Sequence, residues 1–185
     1  MNNFTTKKRV LFLASSAPRY DGDGTAPFIL NMAQDLTEIG WQVDILAPHA
    51  QGIQKKEEIG NVTIHRFQYM WPKSLQTLCY NGGVNANLKA SKWNYLLIPF
   101  FIFFQFWAAR SLIRSQKYSL IHSHWIIPQG INGYLLSKIF HIPHIIFAHG
   151  GDIFGLNNVL LKKLKTLILN AADIVITNST YSKEE

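Results

Sequence analysis

Residues 10–46 read VLFLASSAPRYDGDGTAPFILNMAQDLTEIGWQVDIL, and this stretch decides the fold class. It begins with a short apolar run at residues 10–15, which is typical of a buried strand, and continues into a glycine-containing loop. Apolar residues then recur at helical spacing, Gly40 ends the helix, and Val43–Leu46 forms a second strand. A strand, a helix and a second strand in this order predict a βαβ unit with parallel strands.

The rest of the chain repeats this alternation. Further strands are predicted at 62–67, 120–124, 144–148 and 174–177, and further helices at 93–114, 130–140 and 157–170. Residues 68–92 show no clear period and are predicted to form an irregular loop. The pattern predicts an α/β fold, a Rossmann-like doubly wound, mainly parallel sheet with helices on both faces.

Composition limits the classes of partner. The 185 residues suit one domain, and 48% of them are hydrophobic, enough for a substantial core. The only cysteine, Cys79, excludes an internal disulfide. The net charge of +7 favours an anionic partner such as a phosphate-bearing ligand or an anionic membrane face. Because the basic residues form only short clusters and no nucleic-acid motif accompanies them, no nucleic-acid partner is expected.

Polar and glycine residues follow three of the predicted strands. The strand at 144–148 ends in the run 149–152 (HGGD), the strand at 120–124 ends at His124 and Trp125, and the first strand leads into the loop 18–25. Ligands of open parallel sheets bind at the carboxyl ends of the strands. The three strand ends therefore predict one shared cleft.

The glycines and polar side chains of this cleft each have an alternative interpretation. Backbone N–H groups at Gly22 and Gly24, before a helix, suit a diphosphate, although a turn looks the same and no third glycine completes a dinucleotide motif. His149 is favoured as a ligand contact because glycines follow it. Asp152 is either functional or a helix cap. Trp125 either lines a sugar site or belongs to the core.

Two further histidines raise the question of a metal. His122 and His124 are two residues apart, so an extended strand points both to the same side. With His149 they could form a three-histidine site, but no nearby pattern of residues that would orient the imidazoles accompanies them, and no metal is predicted.

Residues 93–109 carry no charged side chain, and basic residues flank them on both sides. At about 1.5 Å per residue the stretch is shorter than the roughly 30 Å hydrocarbon core of a bilayer, so a spanning helix is disfavoured. A helix buried against the sheet and a helix partly sunk in a membrane surface both remain open.

Five stretches carry a resemblance to a known family. They are residues 22–28 (GDGTAPF), 40–48 (GWQVDILAP), 121–125 (IHSHW), 149–152 (HGGD) and 172–179 (ADIVITNS). In this order they resemble the N-terminal half of a GT-B glycosyltransferase of the retaining, family-4 type. The likeness covers nearly the whole chain, although Asp23 separates two glycines that are often adjacent in the family.

The resemblance implies roles for particular residues. It places the backbone of Gly22 and Gly24 near the donor diphosphate and His149 against the donor sugar. The full set of candidates is Gly22, Gly24, Thr25 and Gly150 for the donor, His124, Trp125 and Asp152 for the acceptor, and His149 and Asp152 for catalysis. No cofactor is expected beyond the nucleotide diphosphosugar that serves as donor substrate.

The domain organisation also follows from the resemblance. Residues 1–185 are expected to be the acceptor-side domain of a longer protein, because residues 178–185 look like the start of a helix with a capping box. The family's paired glutamates and donor-phosphate Arg/Lys lie in a C-terminal nucleotide-sugar domain. The 185-residue chain alone is therefore expected to be inactive.

The expected function is hexosyltransferase-like transfer of a sugar to a carbohydrate or lipid-linked acceptor, in polysaccharide or glycolipid synthesis. The expected location is the cytoplasm, with peripheral contact to an anionic membrane face through residues 93–114. Two alternatives remain at this stage. One is a non-catalytic membrane-surface binding module, and the other is a nucleotide- or cofactor-binding Rossmann domain of an oxidoreductase.

Overall fold

A seven-stranded sheet forms the centre of the molecule. The computed structural model describes residues 8–149 and 159–177. The strands are β1 (Arg9–Leu13), β2 (Gln42–Pro48), β3 (Lys56–Ile59), β4 (Val62–Phe67), β5 (Leu120–His124), β6 (His144–Ala148) and β7 (Ile174–Thr177). Their order in the sheet is β3-β4-β2-β1-β5-β6-β7. All neighbours pair in parallel except β3, which is antiparallel to β4.

Helices cover both faces of this sheet. They are α1 (Pro27–Glu38), α2 (Val84–Ala90), α3 (Trp93–Ser115), α4 (Gln129–Phe140) and α5 (Val159–Ala171). Alternate residues of β1 point to opposite faces, so Phe12 packs with α1 residues such as Ile29, whereas Leu11 packs with Phe101 of α3. Burial on both faces explains the nearly continuous apolar strands. The predicted Rossmann-like, mainly parallel fold with helices on both faces is confirmed.

One strand and one α-helix were not predicted from the sequence, and neither was the short 3-10 helix Lys73–Leu75. Strand β3 begins Lys56-Glu57-Glu58, a charged run without apolar alternation, and it has only one neighbour because it lies at the sheet edge. Helix α2 lies inside the segment that was predicted to be irregular, and its only buried residue is Leu88. Both elements are short and draw their stability from tertiary contacts, so the local pattern does not reveal them.

The order of the strands places the ligand crevice. From β1 the chain moves outward through β2 to β4, and it then crosses back to the other side of β1 to form β5. The crevice of a doubly wound sheet opens at such a reversal, outside the carboxyl ends of the two strands. Here those ends are the residues that follow Leu13 and His124.

Candidate functional site

A cluster of aromatic and imidazole rings lies at the carboxyl ends of β5 and β6. The ring centroids of His122 and His124 are 4.6 Å apart, which confirms that both side chains point to the same side of the strand. Phe12 of β1 meets them at 4.7 and 4.8 Å. The ring of His149 lies 6.2 Å from that of His124 and nearly parallel to it. The rings thus connect the core of the sheet to the strand ends.

His149 is half-buried and is held by rings from three elements. Its centroid lies 4.5 Å from Trp125, 4.7 Å from Phe147 and 5.0 Å from Phe28, which belongs to the first turn of α1. The end of β6, the loop after β5 and the start of α1 therefore meet at this imidazole. The three predicted strand ends therefore converge on the same edge of the sheet.

Burial keeps these histidines neutral. It lowers the pKa of His122 to about 4, that of His124 well below its ordinary value, and that of His149 also below it. Neither ring nitrogen of His124 has a hydrogen-bond partner among the residues that the structure describes. A neutral imidazole offers one N–H donor and one acceptor, which suits a sugar hydroxyl better than an anionic phosphate.

The loop before α1 is organised around Asp23. Its carboxylate accepts hydrogen bonds from the Arg19 backbone N–H at 2.9 Å, from Arg19 Nε at 2.7 Å and from the Thr25 hydroxyl at 3.0 Å. Hydrogen bonding to Arg19 holds the pKa of Asp23 well below its usual range. Gly22 (φ +83°) and Gly24 stay exposed on either side of this carboxylate. Among the described side chains none caps α1, and its first turn has no acidic residue.

The predicted donor residues are therefore partly brought together. Gly22, Gly24 and Thr25 lie in the loop before α1, three to six residues ahead of Phe28, whose ring contacts that of His149. The Thr25 hydroxyl is already bound to Asp23. Two other predicted residues, Gly150 and Asp152, lie outside the described residues.

The charged pair in this loop was not predicted from the sequence. Arg19 and Asp23 are four residues apart and of opposite charge, a spacing that could have drawn attention to them. The guanidinium of Arg19 also lies 5.7 Å from the Tyr80 ring. The pair matters because it fixes the backbone on both sides of the glycines.

A buried arginine anchors the same loop from below. Arg66 of β4 donates to the carbonyl oxygens of Ala17 and Pro18, and to the Tyr80 hydroxyl at 2.9 Å. Its charge is balanced by Glu57 of β3, at 3.0 Å from Nε. The unpredicted edge strand thus supplies the counter-ion of a residue that positions the first-strand loop.

Trp125 also lines a cavity of about 260 Å³. Ser15 and Ser16 after β1 line it, together with Gln129 at the start of α4 and Ile98 of α3. Helix α2 adds Val84, Asn85 and Leu88 to the wall, so the segment predicted to be irregular builds part of the cleft. Trp125 adopts φ 93°, an uncommon conformation for a non-glycine residue, at the point where the chain turns into this wall.

Gln129 ties two strand ends together beneath this cavity. In the amide orientation that satisfies both neighbours, it donates to the His124 carbonyl at 3.2 Å and accepts from the Ser15 N–H at 3.0 Å. Its side chain is fully buried. The distance between the ends of β1 and β5 is therefore held by a side chain that the sequence analysis did not single out.

The histidines do not group with other potential metal ligands into a metal site in the part of the chain that the structure describes. Within residues 8–149 and 159–177, no group of three or more His, Cys, Asp or Glu side chains is arranged to hold a metal ion. The prediction that no metal or cofactor is needed stays a prediction.

A family model described as Glycosyltransferase Family 4 matches residues 22–185. An uncharacterized glycosyltransferase of Methanocaldococcus jannaschii is 37% identical over 78 residues, which cover 41% of this chain and 22% of that protein.

Two solved structures share the fold. The catalytic domain of starch synthase IV from Arabidopsis thaliana, bound to ADP and acarbose, has a TM-score of 0.51 at 12% identity, covering 77% of this chain and 34% of that one. The structure titled trehalose-6-phosphate from E. coli, bound with UDP-2-fluoro glucose, has a TM-score of 0.58 at 14% identity, covering 96% and 41%. The chain thus spans less than half the length of each of these proteins.

Proposed function

The chain belongs to Glycosyltransferase Family 4, and from this premise we propose that it is the acceptor-side domain of an enzyme that transfers a sugar from a nucleotide diphosphosugar to an acceptor hydroxyl. The observation that carries the proposal is the meeting of three elements at His149. The start of α1, the loop after β5 and the end of β6 all contribute rings within 5.0 Å of its centroid.

The chemistry requires charge on the departing diphosphate to be stabilised. Gly22 and Gly24 are exposed in the loop that leads into α1, and their backbone N–H groups supply that stabilisation from this domain, together with the α1 dipole. Thr25 and Gly150 belong to the same donor group. Further positive charge would come from a second, nucleotide-sugar domain. No metal is required in this scheme, because amides and basic groups neutralise the diphosphate.

The sugar and the acceptor are assigned to the imidazole side of the cleft. The neutral His149 exchanges a hydrogen bond with a hydroxyl of the donor sugar and orients it for transfer with retention of configuration. Asp152 holds the acceptor hydroxyl and Trp125 lines the acceptor side. His124 is fully buried, so it supports this side by packing behind the ring of His149. The Trp125 indole gives a flat apolar surface for a sugar ring.

Support for the donor class comes from the two similar structures. One is bound to ADP and the other to UDP-2-fluoro glucose, so both folds accommodate a nucleotide diphosphate. The family match disfavours the oxidoreductase and the non-catalytic membrane module. The acceptor is proposed to be a carbohydrate or a lipid-linked sugar used in polysaccharide or glycolipid synthesis. The proposed location is the cytoplasm, at the inner face of the membrane.

The test is a transfer and donor-hydrolysis screen of the full-length protein against a panel of nucleotide sugars, with the 185-residue chain in parallel. We expect one nucleotide sugar to be consumed by the full-length protein and none by the 185-residue chain. Titration calorimetry with the same panel measures binding separately from turnover. If the full-length protein neither binds nor consumes any donor, the proposed function is refuted.

A further inference from the structure

The outward row of α3 is apolar, where a surface helix normally carries polar side chains. Trp93, Leu96, Phe100, Phe103 and Trp107 follow one another at helical spacing, and between 47% and 58% of each is exposed. Tyr95 and Phe104 on α3 are exposed as well, and so are Leu135 and Ile139 on the neighbouring helix α4. We call these nine residues the aromatic face. Exposed apolar patches of this kind mark sites of interaction.

The inward row of α3 is fixed by polar contacts as well as by packing. Gln105 is fully buried and donates to the Ala14 carbonyl at 3.1 Å, and Asn132 of α4 donates to Gln105 at 3.0 Å. Asn94 accepts from the Thr77 hydroxyl at 2.6 Å. Among the described helices, α3 alone is long and apolar enough to span a membrane, yet these contacts bind it to the sheet. The aromatic face therefore belongs to a helix that is packed on the domain, and not to a helix that is free to insert across a membrane.

The charge around the aromatic face has one sign. No Asp or Glu occurs between Glu58 and Asp152. The basic residues of that interval are Arg66, Lys73, Lys89, Lys92, Arg110, Arg114, Lys117 and Lys138. Lys89 and Lys92 precede α3, Arg110 and Arg114 lie in its last turns, and Lys138 lies on α4 beside Ile139. Cations thus border the apolar surface at both of its ends.

We propose that the aromatic face docks on an anionic lipid bilayer, with α3 lying in the plane of the headgroups. Aromatic rings favour that boundary, and flanking Lys and Arg reach anionic headgroups. A second copy of the chain fits less well, because a two-fold interface would set one cationic border against the other with no carboxylate between them.

The position of α3 gives this docking a consequence for the acceptor, which rests on the proposed function. Gln105 is bonded to Ala14, directly after β1, so the first half of α3, residues 93–104, lies on the side of this contact where the strands end. That edge of the sheet carries the ligand crevice, and Ile98 of this half of α3 lines the cavity next to Trp125. A docked α3 therefore holds the acceptor side of the cleft at the lipid surface. The structure thus favours the lipid-linked class of acceptor over a soluble carbohydrate.

Vesicle flotation of the full-length protein tests the docking without any nucleotide sugar, so its failure is distinct from failure of the transferase assignment. We expect binding to phosphatidylcholine vesicles that contain phosphatidylglycerol, weaker binding to pure phosphatidylcholine, and release at high salt. The combined variant Phe100→Ser, Phe103→Ser, Trp107→Ser should lower binding about tenfold or more. Arg114→Gln should lower it roughly fivefold.

Ile39→Ser is the matched control. Ile39 is 72% exposed at the end of α1, on the opposite face of the sheet, so this variant should bind like the wild type. Circular dichroism and unfolding midpoints report whether each variant folds. If the triple variant does not fold, Arg114→Gln provides the test of docking. Absence of wild-type binding to anionic vesicles overturns the proposal. The proposal is also overturned if the protein does not bind vesicles but forms a concentration-dependent dimer that the triple substitution abolishes.

Discussion

The carboxylate of Asp23 binds the guanidinium of Arg19 at 2.7 Å and also accepts the Arg19 backbone N–H at 2.9 Å. The Asp23 side chain, which is almost completely buried, thus fixes both the guanidinium and the backbone of Arg19. Asp23, which lies between the two glycines, therefore sets the conformation of the loop. This arrangement leaves Gly22 and Gly24 with a defined backbone conformation before any ligand arrives.

Asp23→Asn should lower the free energy of unfolding by about 1–2 kcal/mol, because charge-assisted hydrogen bonds to Arg19 are lost. It should also raise the donor KM, since the loop loses its fixed shape. Because the native pKa of Asp23 is depressed, its stabilisation is complete above the ordinary Asp pKa of about 4 and declines as pH falls below it. Urea unfolding of wild type and variant at several pH values measures this.

Asp21→Asn is the control for that experiment, because Asp21 is exposed in the same loop. It should leave both the unfolding free energy and the donor KM nearly unchanged. An equal loss of stability in the two variants would mean that the Arg19–Asp23 contact does not organise the loop.

Gly24→Ala should change the donor KM without changing the free energy of unfolding. No described atom lies within 4 Å of the position that a Cβ would take, and Gly24 has no positive φ to strain. The unfolding free energy should therefore change by less than about 0.5 kcal/mol. If the donor diphosphate approaches this backbone, the methyl group should raise the donor KM roughly tenfold, a loss of about 1.4 kcal/mol in binding.

Gly22→Ala provides the contrast, since Gly22 has φ +83° and an added side chain is strained there. This variant should lose about 1 kcal/mol of stability as well as donor affinity. An unaltered donor KM in a well-folded Gly24→Ala enzyme would remove Gly24 from the donor site.

His149→Ala should lower kcat by roughly 10²-fold or more while the fold persists, because the imidazole is placed to contact the reacting sugar. The ring is half-buried among other rings, so a small cavity should cost only modest stability. Steady-state kinetics of the full-length enzyme with its preferred donor provide the measurement. His141→Asn, at an exposed position with φ 54° that asparagine tolerates, should retain full activity.

Acid lability should arise from the buried histidines. Burial lowers the pKa of His122 to about 4, so between its ordinary pKa of about 6.5 and that value the unfolded state binds a proton that the folded state does not. Stability should fall as pH drops through this window. Between pH 7 and pH 5, His122 alone should account for about 2 kcal/mol of the loss.

His122→Leu tests this assignment, because leucine keeps an apolar side chain against Phe12 but cannot titrate. Its unfolding free energy should fall less than that of the wild type when pH is lowered from 7 to 5. An identical fall in both proteins would place the acid-sensitive groups elsewhere, for example at His144, whose pKa burial also lowers to about 4.

Much of the fold could be predicted because its signals are local. The apolar runs at β1, β2, β5 and β6 are buried on both faces, so their composition alone marks them as central strands. Strand β3 could not be found this way. Its side chains are charged, and it exists because Glu57 meets the buried Arg66 and because β4 offers a free edge.

The candidate site was predicted only as a set of strand ends. Residue spacing placed His122 and His124 on one side of a strand, and the parallel order of strands brought His149 to the same edge. The sequence did not indicate that the ring of Phe28 in α1 would pack 5.0 Å from that of His149. Nor did it indicate that α2 would line a cavity beside Trp125. Those contacts join residues far apart in the chain, and no local pattern records them.

The sequence by itself determined the alternation of strands and helices, the family, and the strand ends at which ligands bind, because hydrophobic periodicity and short motifs act over a few residues. The tertiary structure alone decided which side of α3 faces outward. All sides of that helix are apolar, so its sequence has no preferred inner face. Buried hydrogen bonds from Gln105 and Asn94 select one, and the remaining aromatic side chains are left at the surface.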